Sequence, residues 1–198
     1  MQDHFKERAK EWDKGSVRVN GAKIIAEAIN KKIELNSSMK IMDFGVGTGL
    51  LGFEIATVVD CVVGVDTSAI MLEQLKEKNT KEIFIEPHHG DILKNPIDGS
   101  FDGIISSMTL HHVENLKLFF QTIYKNLNKN GFIAIADLEL EDATFHSDNK
   151  GVFHFGFDEK ELYAIVLESG FKDVKIENIN TINKPHRDFG IFLLTAKK

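Results

Sequence analysis

Four glycines lie close together in the segment Asp43-Phe44-Gly45-Val46-Gly47-Thr48-Gly49-Leu50-Leu51-Gly52. The apolar run before it, at 40–44, predicts a short buried strand, and the stretch from 50 to 59 predicts a helix. Glycine is required where a chain turns sharply and lets a ligand touch its backbone. A strand, a glycine loop and a helix in this order predict a cofactor-binding turn in an α/β domain.

The glycine loop belongs to a longer alternation of predicted strands and helices. Continuous apolar runs such as 61–65 are typical of parallel strands covered on both faces. No helix separates the last two predicted strands, so we expect them to pair antiparallel at one edge of the sheet. The predicted fold class is α/β, a doubly wound, mostly parallel seven-stranded sheet with an antiparallel C-terminal edge strand. The predicted strands cover 40–44, 61–65, 82–85, 101–106, 132–136, 173–179 and 189–196.

The composition excludes several classes of protein. A chain of 198 residues predicts a single domain. Its 24 basic and 30 acidic side chains give a net charge of −6, which argues against nucleic acid as a partner. Cys61 is the single cysteine, so an internal disulfide and a multi-cysteine zinc site are excluded. No apolar run approaches the roughly 20 residues that span a bilayer, and we expect a cytoplasmic protein without a membrane partner.

The glycine loop fits two cofactor motifs. Gly47-x-Gly49-x-x-Gly52 matches the dinucleotide-binding fingerprint. Asp43-x-Gly45-x-Gly47-x-Gly49 resembles the S-adenosylmethionine loop of class I methyltransferases. Asp66 follows the second predicted strand, where its carboxylate can accept both hydroxyls of a ribose. Both cofactors have that ribose, so Asp66 supports a nucleoside ligand without separating the two alternatives.

The nicotinamide alternative lacks a proton relay. Small single-domain reductases supply that relay as Tyr-x-x-x-Lys, but here Tyr124 and Tyr163 are followed four positions later by Asn128 and Leu167. Larger dehydrogenases use a second substrate domain, for which this sequence has no room. A nicotinamide-dependent oxidoreductase is therefore the weaker alternative.

Further segments follow the loop in a characteristic order. They are Val63-Gly64-Val65-Asp66, His89-Gly90-Asp91-Ile92, Phe101-Asp102-Gly103-Ile104-Ile105-Ser106, Leu127-Asn128-Lys129-Asn130-Gly131-Phe132 and Glu168-Ser169-Gly170-Phe171-Lys172-Asp173-Val174. With these segments the sequence resembles the class I S-adenosylmethionine-dependent methyltransferases of the small-molecule type, over about 38–198. The resemblance implies the Rossmann-like methyltransferase fold, methyl transfer as the activity, S-adenosyl-L-methionine as cofactor and S-adenosyl-L-homocysteine as product.

The resemblance also predicts how the chain is divided. Residues 1–36 are expected to form an N-terminal helical cap, which in relatives folds over the cofactor, and 37–198 the cofactor-binding domain. The irregular segment 139–157, rich in Phe, His and Asp, is the expected substrate-side insert. Trp12 belongs to the cap, and the alternative for its helix is packing against the side of the domain.

The resemblance assigns cofactor roles along the strand ends. Asp43 is expected to orient the glycine loop and Asp66 to hold the ribose hydroxyls. Met71 and Asp91 have structural alternatives, because Met71 fits a helix core and Asp91 fits a turn. The full set of predicted cofactor-binding residues is Asp43, Gly45, Gly47, Thr48, Gly49, Asp66, Thr67, Ser68, Met71, Asp91, Ile92 and Ser106.

Methyl transfer from a sulfonium requires a base only where the nucleophile must lose a proton near neutral pH. Histidine is the natural base at that pH, and His111, His112 and His154 are the predicted catalytic candidates. His111 and His112 follow the fourth strand, where open α/β sheets place their ligand crevice. His154 lies in the expected substrate-side insert, whose phenylalanines form either a pocket wall or plain core. No metal site is predicted.

The sequence constrains the substrate weakly. Methyltransferases that act on nucleic-acid bases carry Asn/Asp-Pro-Pro-aromatic after the fourth strand, where this chain has Ser106-Ser107-Met108-Thr109. Together with the acidic charge, this predicts a small-molecule substrate and a monomer or homodimer. A non-catalytic S-adenosylmethionine-binding partner subunit remains the alternative from another class.

Overall fold

The computed structural model describes the backbone of residues 9–198 and the side chains of residues 11–198. Residues 1–8 of the predicted N-terminal cap lie outside the described residues. The helices are α1 (Ser16–Lys32), α2 (Leu50–Ala56), α3 (Ala69–Lys78), α4 (Leu116–Asn126) and α5 (Glu159–Glu168), with short 3-10 turns at Ala9–Lys14 and Leu110–His112. The strands are β1 (Lys40–Phe44), β2 (Cys61–Asp66), β3 (Ile85–His89), β4 (Phe101–Ser107), β5 (Leu127–Leu138), β6 (Lys172–Asn183) and β7 (Asp188–Lys197).

The seven strands form one sheet in the order β3-β2-β1-β4-β5-β7-β6, which confirms the predicted fold class. Strands β1 to β5 are parallel, and β7 is antiparallel to both of its neighbours. The edge position is held by β6 and not by the C-terminal strand. The burial patterns explain this order, because β7 is buried along almost its whole length whereas β6 is mostly exposed.

Helices cover both faces of the sheet, as a doubly wound fold requires. On one face Ile29 of α1, Ile55 of α2 and Leu75 of α3 are buried in one apolar cluster. On the other face Phe120 of α4 and Val166 of α5 are buried in a second cluster. The strand order reverses between β1 and β4, which is the switch point where open α/β sheets place their ligand crevice.

The third strand begins later than predicted. Position 84 was expected inside the strand, but β3 starts at Ile85 and Phe84 is 57% exposed. Asn79 holds this start through two hydrogen bonds with the backbone of Ile85, one from its amide and one to its carbonyl oxygen. The pairing with β2 begins only there. Within the described part of the chain no helix is long and apolar enough to cross a membrane.

Candidate active site

The glycine loop turns over the carboxyl end of β1 and is held by the neighbouring strand. The N–H groups of Gly45 and Val46 donate to the carbonyl of Val65 in β2 at 2.8 and 3.0 Å. Gly45 has φ +70°, and a Cβ there would lie 2.2 Å from the Thr109 side chain. Gly47 has φ +54°, and a Cβ there would meet no heavy atom within 4 Å. The loop therefore packs tightly at Gly45 and leaves open space at Gly47.

Asp43 lies buried beneath this loop. Its Oδ2 has no hydrogen-bond partner among the described residues. A Cβ on Gly52 would approach that oxygen to 2.9 Å, so glycine is needed there as well. Burial, and then the charge of Asp66, raise the pKa of Asp43 well above its ordinary value, although an N–H from Gly52 opposes the shift. A buried acceptor oxygen at the base of a glycine loop is thus left unpaired.

Asp66 joins the glycine loop to the turn that follows β2. Its Oδ2 accepts from the Gly47 N–H at 2.7 Å, and its Oδ1 accepts from the Ser68 N–H at 2.8 Å. Ser68 caps α3 as predicted, accepting from the Met71 N–H at 3.3 Å. The carboxylate thus lies at the carboxyl end of β2 beside the loop, and its contact with a ribose stays a prediction.

The other predicted cofactor residues divide into surface and core positions. Thr67 is exposed, and its carbonyl accepts from His89 Nε2 at 3.1 Å. Asp91 occupies a turn, where its Oδ1 accepts from Leu93 N–H at 3.1 Å. Met71 and Ile92 are buried. The cofactor contacts of these four residues stay predictions. Ser106 is also buried, and its hydroxyl donates to the Phe44 carbonyl at 2.7 Å.

The N-terminal 3-10 turn contacts the glycine loop directly. The buried Thr48 donates its hydroxyl hydrogen to Asp13 Oδ1 at 2.6 Å. The second oxygen of Asp13 accepts from the Lys78 ammonium of α3, also at 2.6 Å. Trp12 packs instead against Arg18, whose guanidinium carbon lies 4.2 Å from the ring centroid. Asp13 was not singled out from the sequence, because it sits in a polar stretch without a motif.

A buried histidine–aspartate pair lies at the carboxyl ends of β4 and β5. His111 Nδ1 is 2.7 Å from Asp137 Oδ1, and the two residues are 1% and 0% exposed. Asp137 Oδ2 also accepts from the His111 backbone N–H at 3.2 Å. Because a carboxylate accepts hydrogen bonds, the proton of a neutral His111 lies on Nδ1 and Nε2 remains an acceptor.

Asp137, like Asp13, was not singled out from the sequence. Its signal was an acid at the end of the long apolar strand β5, next in the sheet to the strand that leads to His111. A carboxylate buried at a strand end needs a hydrogen-bond or ionic partner, and the end of the neighbouring strand can supply it.

The rings of the other two candidate bases join the 139–157 segment to the turn after β4. His112 Nδ1 donates to the carbonyl of Gly151 at 2.7 Å, and His154 Nε2 donates to the carbonyl of Val113 at 2.9 Å. The buried carboxylate contact of His111 makes it the stronger base candidate. The catalytic roles of His112 and His154 stay predictions.

His146 of the same segment completes a cluster of imidazoles. Its ring centroid lies 4.8 Å from that of His111 and 6.2 Å from that of His112. Burial, and then the two neighbouring imidazoles, lower the pKa of His146 to about 4, so this ring is neutral near pH 7. Among the described residues no three His, Cys, Asp or Glu side chains are arranged to hold a metal ion.

Comparison with known proteins identifies a family for this chain. A family model described as a methyltransferase domain matches residues 35–182. An uncharacterized methyltransferase of Schizosaccharomyces pombe is 28% identical over 169 residues, which are 75% of this chain and 57% of that protein. The chain thus spans a little over half the length of the curated relatives it matches.

Solved structures show the same fold. An S-adenosylmethionine-dependent methyltransferase from Mesorhizobium loti superposes with a TM-score of 0.73 at 19% identity, over 91% of this chain and 100% of that one. Phosphoethanolamine N-methyltransferase 2 of Haemonchus contortus, solved with S-adenosyl-L-methionine, gives 0.71 at 18% identity over 87% and 52%. With the family match covering well over half of the sequence, the chain belongs to the methyltransferase-domain family.

Proposed function

We propose that the chain is an S-adenosylmethionine-dependent methyltransferase whose acceptor is a small molecule with a proton to lose, and that His111 is the base. The observation that carries the proposal is the buried pair of His111 and Asp137 at the carboxyl ends of β4 and β5. His111 lies two residues beyond Thr109, whose hydroxyl donates to the Gly45 carbonyl of the glycine loop at 3.3 Å. The Haemonchus contortus enzyme was solved with S-adenosyl-L-methionine and, in a second structure, with S-adenosylhomocysteine. Those ligands support the same cofactor here.

The residues around the glycine loop fit this cofactor. The open face of Gly47 leaves room for a ligand against the backbone. Asp43 supplies an unpaired acceptor beneath the loop, suited to a backbone N–H or to the methionine ammonium. Asp66 stands at the end of β2, where its carboxylate could exchange the loop N–H groups for ribose hydroxyls. These three residues would hold the methionine and ribose parts.

The bound cofactor would supply an activated methyl group, and the electron pair of the broken sulfur–carbon bond would stay on sulfur. The chain supplies alignment and a base. Asp137 fixes the Nδ1–H tautomer of His111, so Nε2 can accept the proton that the acceptor loses as its new bond to carbon forms. Asp137 then stabilises the imidazolium that results. His111 is 1% exposed, so the acceptor reaches it only when the 139–157 segment shifts.

Two parts of the chain border this site and would restrict the acceptor. The N-terminal turn meets the glycine loop through the contact of Asp13 with Thr48. The 139–157 segment meets the turn after β4 through backbone hydrogen bonds of Phe153 and His154 to the His111 carbonyl. We infer that the first covers the cofactor and the second the acceptor. The net charge of −6 supports a small acceptor over a nucleic acid.

Calorimetry on the full chain tests the cofactor. S-adenosylmethionine and S-adenosylhomocysteine should bind, and NADH should not. Asp66→Ala should weaken binding by roughly 1–3 kcal/mol, while the exposed Asp98→Ala should leave it unchanged. Saturable NADH binding without S-adenosylmethionine binding would support an oxidoreductase instead.

Methyl-labelled cofactor incubated with a metabolite extract tests the reaction. The label should enter small molecules with the wild-type chain and much more slowly with His111→Gln. Tight cofactor binding with no label transferred to any fraction would identify a non-catalytic partner subunit. Label found only in macromolecules would contradict a small acceptor.

A further inference from the structure

Lys184 is a cation held next to the candidate acceptor site without an acidic partner. It lies in the turn between β6 and β7, and its ammonium is 4.2 Å from the ring centroid of Phe145 and 5.5 Å from that of Phe189. It donates a hydrogen bond to the Phe145 carbonyl. Across residues 11–198 no carboxylate oxygen lies within 4.0 Å of its Nζ. Aromatic faces and one carbonyl thus hold a charge that can still pair with an anion.

His146, next to Phe145, presents an open hydrogen-bonding atom. Its Nε2 is buried and has no partner in the part of the chain that the structure describes. The neighbouring His111, His112 and His154 each have a ring nitrogen in a hydrogen bond. Native proteins leave few buried polar atoms unpaired, and each such atom requires an explanation. A group that binds during the reaction cycle would explain this atom.

Lys184 and His146 share one neighbour, the aromatic ring of Phe145. Both contact the Phe145 side chain, at 4.2 Å for the ammonium and 4.9 Å between the rings. The positive charge of Lys184 also contributes to the low pKa of His146, after burial and the charges of His111 and His112. An anion placed between the two residues would reverse this electrostatic effect.

The nearby carboxylates are largely committed to other groups. Asp137 holds His111, and Asp142 pairs with Arg187 at 3.0 Å. Glu141 Oε2 accepts from the N–H groups of Thr144 and Phe145 at 2.9 and 3.1 Å. The other oxygen of Glu141 is buried and unpaired, so its charge is only partly offset. Lys184 therefore supplies the positive charge that an incoming anion would need beside this carboxylate.

We propose that Lys184 and His146 bind an anionic group, a carboxylate or a phosphate, that the methyl acceptor carries in addition to its reacting atom. This proposal rests on the proposed function and deepens it. The ring centroids of His111 and His146 are 4.8 Å apart. The anionic group and the reacting atom of the acceptor must therefore be only a few bonds apart. The acceptor class is then a small hydroxy, thio or amino acid, or a comparable phosphate ester.

NMR of the full chain with ¹⁵N-labelled histidine tests the site with inorganic phosphate and acetate as separate probes. Phosphate, acetate or both should shift the His146 signals and raise the pKa of that ring from about 4. The response should be lost in Lys184→Met and kept in Lys150→Met, which removes an exposed lysine of the same segment. The site is overturned if neither probe moves His146, or if sodium chloride at equal ionic strength moves it as much.

The labelled product supplies a second, independent measurement. Small molecules that receive the methyl label should each contain a carboxylate or a phosphate group when identified by mass spectrometry, and a labelled product with neither group would overturn the assignment. Lys184→Met and His146→Gln should raise the acceptor KM by about 10–100-fold, as charge-assisted contacts predict, and change kcat much less. Both variants should keep wild-type cofactor affinity. Failure of the wild-type chain to bind S-adenosylmethionine would instead refute the proposed function.

Discussion

Replacing Asp137 by asparagine separates the role of this residue in the fold from its role in catalysis. The carboxylate accepts three hydrogen bonds, from His111 Nδ1, from the His111 backbone N–H and from the Leu138 backbone N–H, at 2.7, 3.2 and 2.8 Å. An amide has only one oxygen. In one orientation it keeps the imidazole and the Leu138 N–H but turns its NH₂ group towards the His111 N–H. In the other orientation it loses the Leu138 N–H and forces His111 into the opposite tautomer.

Either orientation leaves one buried backbone N–H without an acceptor, so Asp137→Asn should lower the free energy of unfolding by roughly 1–3 kcal/mol. In a domain of this size each kcal/mol corresponds to roughly 2–4 °C in Tm. The neutral amide also no longer stabilises an imidazolium, so kcat should fall by about 10²–10⁴, the usual contribution of a general base. Cofactor affinity should stay unchanged, because Asp137 has no contact with the glycine loop among the described hydrogen bonds.

Denaturant unfolding and methyl-label transfer, each measured from pH 6 to 9, provide the two readouts. Asp158→Asn is the matched control, because the Asp158 carboxylate caps α5 through the N–H groups of Lys160 and Glu161 and asparagine caps a helix equally well. Asp158→Asn should match the wild type in both assays. A stable Asp137→Asn variant with wild-type kcat and an unchanged pH profile would refute the assignment of His111 as a base supported by Asp137.

Three further predictions concern the cap, the loop and the histidine cluster. If the N-terminal turn covers the cofactor, Asp13→Asn should weaken S-adenosylmethionine binding about 2–10-fold in calorimetry, because one charged contact with Thr48 is lost. The control Glu11→Gln removes an exposed ion pair of the same turn and should leave the affinity unchanged. Gly47→Ala should destabilise the chain by about 1–2 kcal/mol because of the positive φ, and it should block cofactor binding because the new Cβ would occupy the open space at Gly47. The control Gly21→Ala, inside α1, should stabilise the chain by about 0.5–1 kcal/mol in thermal melts. The pKa of His146 is about 4 in the folded chain and 6.5 in the unfolded chain, so the unfolded state binds this proton at the higher pH. The free energy of unfolding should therefore fall as the pH drops from 6.5 to about 4. In urea titrations His146→Gln should reduce this dependence on pH.

The sequence by itself predicted the number of strands, the glycine loop and the place of Asp66, because apolar periodicity and the demand for glycine at a tight turn are properties of short segments. It placed the start of the third strand three residues too early. Only the tertiary structure decided that β7 lies between β5 and β6 in the sheet. It also decided that Asp137 contacts His111, 26 positions away in the sequence, and that Asp13 contacts Thr48, 35 positions away. Each of these contacts joins segments distant in the chain. Their partners are chosen by which strand ends and turns the packed sheet brings together, and no local pattern encodes that choice.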